Sequence, residues 1–177
     1  MMAAVMMMAM VGFVACKKDD DKKSDDSQQQ ETDDSQQQET YEESTSFEII
    51  HNGQAVAAGA TVEHTFTAEE LDIDDADVAL YVKNKTDNTL QRVYKVELAE
   101  GPSSMERAPI CYGECTERFL PYTSEAVNLA PGTDNTAIQI HLYPISHGSA
   151  HTGTYKVTIG NGTNLEDPQV CFVKFNW

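Results

Sequence analysis

Val78-Ala79-Leu80-Tyr81-Val82-Lys83 puts Val78, Leu80 and Val82 on one side of an extended chain and Ala79, Tyr81 and Lys83 on the other. Successive side chains of extended backbone point to opposite sides, so this alternation marks a strand with one buried face. The same period returns in Tyr94-Val96-Leu98 around Lys95 and Glu97, in Ile138-Ile140-Leu142 around Gln139 and His141, and in Tyr155-Val157-Ile159 around Lys156 and Thr158. Phe47–His51, Thr61–Thr67, Glu125–Leu129 and Val170–Trp177 are further candidates, which makes about eight short strands at the spacing of a sandwich. Turn residues separate them, among them Asn52-Gly53, Gly101-Pro102, Ala130-Pro131-Gly132 and Gly160-Asn161-Gly162. No amphipathic helical segment is long enough to serve as a crossover connector, so a parallel α/β sheet is excluded. The pattern predicts an all-β fold, an antiparallel two-sheet sandwich, with a small closed barrel as the alternative. Only Ala68–Asp77 is expected to form a helical turn, with Thr67 as its N-cap ahead of Glu69 and Glu70.

Outside this region the composition changes abruptly. Residues 1–16 carry no charge and hold six of the seven methionines, whereas residues 17–46 contain no Ile, Leu, Val, Phe or Trp. Neither segment offers a core, which leaves residues 47–177 as one domain and excludes a multidomain enzyme. The net charge of −17 divides into −7 for residues 17–46 (4 Lys against 11 acids) and −10 for residues 47–177 (8 basic against 18 acids). Such a surface repels phosphate backbones, so nucleic acid is not an expected partner.

Met1–Val14 is too short for a permanent membrane span, which needs roughly 20 apolar residues, and suits the apolar region of a secretory signal. It ends in Phe13-Val14-Ala15-Cys16, which resembles the lipobox of bacterial lipoproteins. That resemblance implies removal of residues 1–15 and lipidation of Cys16; the alternative is ordinary cleavage near Ala15 with an unmodified thiol. Two or three acyl chains would hold the protein at a membrane. The following Lys17-Lys18-Asp19-Asp20-Asp21-Lys22-Lys23 resembles the export signal of Bacteroidota surface lipoproteins. The implied location is the outer membrane, lipid-anchored and facing outward, with the periplasmic face as alternative. Residues 25–40 are one octapeptide written twice, DDSQQQET-DDSQQQET. Its composition predicts disorder, so residues 16–46 are expected to form an acidic tether of about 30 Å mean span.

Cys111-Tyr112-Gly113-Glu114-Cys115 is the most distinctive motif of the domain. Two thiols flanking a Gly in an oxidising compartment favour an intraloop Cys111–Cys115 disulfide, although Cys171 remains an alternative partner for either. This motif, with Val127-Asn128-Leu129-Ala130-Pro131-Gly132, His141-Leu142-Tyr143-Pro144 and Gly153-Thr154-Tyr155-Lys156-Val157, resembles the immunoglobulin-like domains of secreted and lipid-anchored Bacteroidota proteins. The resemblance spans roughly residues 78–177 and implies an immunoglobulin-like β-sandwich and the disulfide, with no catalytic residue to carry over. Cys-x3-Cys with a distant His also occurs in copper-delivery proteins, but on a thioredoxin fold whose βαβ unit is missing from this pattern.

His141, His147 and His151 fall within eleven residues, yet in a Gly-rich surface segment without an expected carboxylate partner, so unligated histidines are preferred to a zinc or copper site. Glu69, Glu70, Asp72, Asp74, Asp75 and Asp77 lack calcium-loop spacing and read as a solvated acidic loop. No phosphate loop, nucleophile elbow or positioned acid–base set appears; no enzyme, metal or cofactor is expected. The sequence thus predicts a lipid-anchored accessory module that binds a protein or glycan through loops including Cys111–Cys115 and Ile145–Thr152. A metal-handling or thiol-redox role for Cys111, Cys115 and a histidine is the alternative.

Overall fold

A computed structural model describes residues 39–133, 137–147 and 151–177. Its strands in chain order are β1 (Phe47–His51), β2 (Gln54–Val56), β3 (Thr61–Thr65), β4 (Ala76–Asn84), β5 (Leu90–Glu100), β6 (Arg107–Tyr112), β7 (Glu114–Phe119), β8 (Tyr122–Thr123), β9 (Val127–Leu129), β10 (Gly132–Thr133), β11 (Ile138–Leu142), β12 (Thr152–Asn161) and β13 (Glu166–Asn176). A short helix α1 (Ala68–Ile73) joins β3 to β4. Two sheets result: β2-β1-β4-β11-β6-β7 with β10 also on β4, and β3-β13-β12-β5-β8 with β9 also on β5. The fold is the predicted all-β two-sheet sandwich. Its described residues contain thirteen strands where the alternation pattern suggested about eight.

The four strictly alternating segments become the sandwich interior. Val78, Leu80 and Val82 of β4 and Ile138, Ile140 and Leu142 of β11 face Val96, Tyr155, Val157 and Ile159 of the other sheet, all of them excluded from solvent. Burying a side chain of this size contributes about 1.5–3 kcal/mol, so these rows supply the main driving force. On β13, Cys171, Val173 and Phe175 continue the same row. Cys171 is a free, fully buried thiol, which removes it as a partner for Cys111 or Cys115. Its burial pushes the thiol pKa up to about 12.

Two departures from the sequence reading have clear physical causes. Pairing is not wholly antiparallel, because β3 joins β13 in parallel register from Phe172↔Thr61 to Asn176↔Thr65. A separation of more than a hundred residues imposes no hairpin geometry on that pair. The acidic segment forms α1 as expected, closed by a capping box: the Thr67 hydroxyl accepts from the Glu70 amide at 3.2 Å, and the Glu70 carboxylate accepts from the Thr67 amide at 2.7 Å. Finally, residues 41–46, assigned to the tether, lie on the sandwich. The Tyr41 ring meets Phe172 edge-on at 5.6 Å, and Asp167 accepts from the Ser44 hydroxyl (2.9 Å) and from the Thr45 (3.1 Å) and Ser46 (2.8 Å) amides. The expected signal and the remaining tether, residues 1–38, lie outside the described residues.

Gly160 backs onto the β12–β13 connection so closely that an added Cβ would stand 2.7 Å from Leu165 Cα and 2.8 Å from its carbonyl carbon. Backbone cannot move aside cheaply, so Gly160→Ala should lower the unfolding free energy by about 1–3 kcal/mol, read from the urea midpoint at unchanged slope. A second outcome concerns Asp167. Burial alone would raise its pKa, but the donors of Ser46, Thr45 and Ser44 outweigh this and hold the carboxyl well below the ordinary carboxylate range. A depressed folded-state pKa contributes stability above the unfolded value of about 3.9 and loses it as pH falls further. Asp167 has φ 49°, a conformation that Asn tolerates. Asp167→Asn should therefore keep the backbone and flatten the loss of stability as pH falls below about 4, measured by chemical denaturation.

Candidate functional site

The β6–β7 hairpin carries the Cys motif. Its ladder pairs Cys111 with Cys115 and Tyr112 with Glu114 around Gly113, whose φ of 81° is the left-handed conformation that suits glycine. Cys111 and Cys115 are joined by a disulfide, with Cα atoms 3.9 Å apart. Since side chains alternate along both strands, the hairpin has two chemically different faces.

The face bearing Ile110, Tyr112, Thr116 and Arg118 looks across to the other sheet, and a cleft of about 610 Å³ opens there. Buried Tyr94 of β5 forms its floor, with the Tyr112 and Tyr122 rings centred 6.2 and 6.1 Å away. Arg118 stacks over Tyr122 at 4.7 Å and Arg92 over Tyr112 at 4.4 Å, in the range of favourable cation–π contact. Glu114 and Glu125 line the same opening. Desolvation, assisted by Tyr122, pushes the Tyr94 hydroxyl up to about 12, so it stays a neutral hydrogen-bonding group. Three phenol rings backed by guanidinium and rimmed by carboxylates can accept the apolar face of a ring while hydrogen-bonding its polar edge.

The opposite face bears the disulfide, and here the structure brings in a histidine. A ring nitrogen of His141 on β11 and the Sγ atoms of Cys111 and Cys115 lie within 4.8 Å of one another. His141 Nδ1 is 2.9 Å from the Asp75 carboxylate. The other ring nitrogen, Nε2, is buried and has no hydrogen-bond partner among the described residues. The expectation that no carboxylate flanks these histidines is thus overturned for His141.

The remaining histidines go elsewhere. His147 sits in the 3₁₀ turn Pro144–His147, 2.9 Å from the Ser104 hydroxyl and 5.9 Å from the Trp177 ring, and burial lowers its pKa. His151 is exposed. Residues 148–150 lie outside the described residues, and neither Ile145 nor His147 lines the cleft. The acidic run is not merely solvated: Glu70 caps α1, Asp74 accepts from the Ile145 amide at 2.7 Å, Asp75 holds His141 and Asp77 accepts from Gln139 at 3.0 Å. Cys16 lies outside the described residues. Tyr94, Tyr122, Arg118 and Asp75 are the functional candidates that sequence reading missed. Alternation does face Tyr94 inward, but nothing local announces their convergence.

No protein-family model and no curated protein matches the chain. The N-terminal domain of PorA has a similar structure, with a TM-score of 0.54 at 17% identity over 73% of this chain and 96% of that one. The CooA pilin subunit from enterotoxigenic Escherichia coli matches with a TM-score of 0.39 at 12% identity, covering 74% of this chain and 97% of that one. The ASH / PapD-like domain of human CEP192 gives 0.38 at 10% identity, over 78% of this chain and 89% of that one. At 17% identity the likeness to the PorA domain shows the fold alone, a two-sheet β-sandwich, and nothing of chemistry.

Removing the disulfide releases a very short loop. By loop-closure entropy the Cys111→Ser/Cys115→Ser double variant should be about 2 kcal/mol less stable in thermal or urea unfolding. Thiol titration of the oxidised mature protein with Cys16 blocked or lipidated should find no reactive thiol when native and one, Cys171, after denaturation.

Proposed function

We propose that this chain is a non-catalytic surface module, anchored by a lipid on Cys16 in the outer membrane, whose sandwich binds an extracellular ligand in the Tyr94–Tyr112–Tyr122 cleft. The cleft itself carries this reading. It sits at a stapled hairpin, presents aromatic surface at low entropic cost and offers charged donors and acceptors from Arg118, Glu114 and Glu125. A glycan matches this combination well, because sugar rings carry an apolar face for stacking and hydroxyls for bidentate polar contact. A protein loop bearing an exposed ring is the second ligand class the notched shape would accept. The lipobox-like Phe13-Val14-Ala15-Cys16 supports the anchor, and the acidic segment that follows supports display away from the membrane.

Two measurements test the two halves separately. Intact mass of the mature protein should begin at Cys16 with added acyl mass, and Cys16→Ala should shift the protein to the soluble fraction. For binding, an array of bacterial and host polysaccharides probed with the soluble domain should give signals that Tyr122→Ala or Arg118→Ala reduces at least tenfold, as expected for loss of about 1.4 kcal/mol or more. Signals unchanged by both substitutions would move the ligand site away from the cleft.

A further inference from the structure

We propose that Cys111, Cys115 and His141 form a three-coordinate Cu(I) site once the disulfide is reduced, with Asp75 holding the imidazole in its ligating tautomer. The site occupies the face of the hairpin opposite the tyrosine cleft, so it stands or falls independently of ligand binding there.

The donor set is already assembled. Both sulfurs and a His141 nitrogen lie within 4.8 Å of one another. A trigonal ion with bonds of roughly 2.0–2.3 Å holds its ligand atoms about 3.5–4 Å apart, so once the disulfide is reduced the two sulfurs must separate to that spacing while the imidazole closes by at most about 1 Å. The three residues come from adjacent strands: β11 pairs with β6 at Gln139↔Cys111, and β6 with β7 at Cys111↔Cys115. His141 therefore lies diagonal to Cys111 on one sheet face, a spacing within reach of long side chains. Cys115 is exposed whereas Cys111 is buried, so an incoming thiolate can attack the disulfide at Cys115.

The second observation is the state of the imidazole. With Nδ1–H donating to Asp75 at 2.9 Å, the lone pair rests on Nε2, which is buried and unpartnered. An unsatisfied buried acceptor is uncommon in folded proteins and asks for a partner. The carboxylate–histidine pair is the arrangement that orients a metal-ligating imidazole and raises its basicity.

Two soft thiolates and one imidazole select a soft d¹⁰ ion, and the described residues place no fourth Cys, His, Asp or Glu in this cluster, as closed zinc sites require. In the oxidised form the sulfur lone pairs belong to a disulfide and the site is closed. A dithiol reductant transfers two electrons and two protons, breaking the Cys111–Cys115 bond and forming its own disulfide. Cu(I) then replaces the two thiol protons, which pass to solvent, with no change in copper oxidation state. The pair thus acts as a redox gate on metal binding.

The test uses the mature full-length protein with Cys16 blocked, reduced anaerobically with a dithiol, freed of it, and titrated with Cu(I) against a chromophoric Cu(I) chelator. One equivalent should bind to the reduced protein and none to the oxidised protein. His141→Gln should bind at least tenfold more weakly. Asp75→Asn should weaken binding 10- to 100-fold, with recovery in Asp75→Glu, since the carboxylate acts through His141. Cys171→Ala should bind like the wild type. X-ray absorption of the loaded wild type should show two sulfur and one nitrogen scatterers, which keeps the assignment testable if a variant misfolds. Equal binding by oxidised and reduced protein, undiminished binding by His141→Gln, or a sulfur-only copper shell would overturn the site.

Discussion

β12 is hydrogen-bonded along both edges, to β5 and to β13, and its inward row of Tyr155, Val157 and Ile159 is wholly excluded from solvent. A strand so placed has no register freedom, because a slip by one residue would send that row to the outside and Lys156 and Thr158 into the core. The opposing rows of β4 and β11 are held at sandwich distance by the same burial. Every feature with chemical interest is hung on this pair of faces. Where the chain leaves β5 for the other sheet it passes through the turn Ser103–Glu106, and Met105 fills the space beneath Gly153 so tightly that an added Cβ there would meet its sulfur at 2.1 Å. That crossing sets Tyr94 and Tyr112 in different sheets, facing each other.

The hairpin that follows separates two chemistries by the simplest device available to extended backbone. Residues 110, 112, 116 and 118 face the tyrosine cleft. Cys111 and Cys115 stand on the other side with His141. One short motif therefore staples the rim of an aromatic cleft and places two sulfurs beside a carboxylate-held imidazole. Neither arrangement requires the other. Both depend on β6 remaining paired with β11 and β7, and the disulfide reinforces the latter pairing.

Legibility in the sequence tracked the strength of the local signal. Val78–Lys83 and Tyr155–Ile159 bury one face and expose the other, so their periodicity survives in the amino-acid order. β6 and β7 escaped that reading. Pro109 interrupts β6, and the β11 ladder includes Cys111 and Ile110 and stops short of the proline, which has no amide to donate. β7 is an edge strand, Glu-Cys-Thr-Glu-Arg-Phe, largely exposed and therefore free of hydrophobic alternation. The strap at residues 41–46 was passed over because its contribution comes from one aromatic ring and from hydroxyl and amide donors to Asp167, not from aliphatic bulk. Thr67 and Glu70, by contrast, were legible as a helix start because a cap is a contact between near neighbours.

By itself the sequence determined the all-β class, the inward rows, the capped turn after Thr67 and the closeness of Cys111 to Cys115. All of these follow from chain periodicity or from short spacing, which extended backbone converts directly into direction and distance. Tertiary structure alone decided that Cys171 is sealed in the core, that β3 runs parallel to β13, that three tyrosines from separate strands share one cleft, and that Asp75 and His141 meet beside the disulfide. Those juxtapositions join residues far apart along the chain through cross-strand pairing and sheet stacking, and no local pattern records which strands become neighbours.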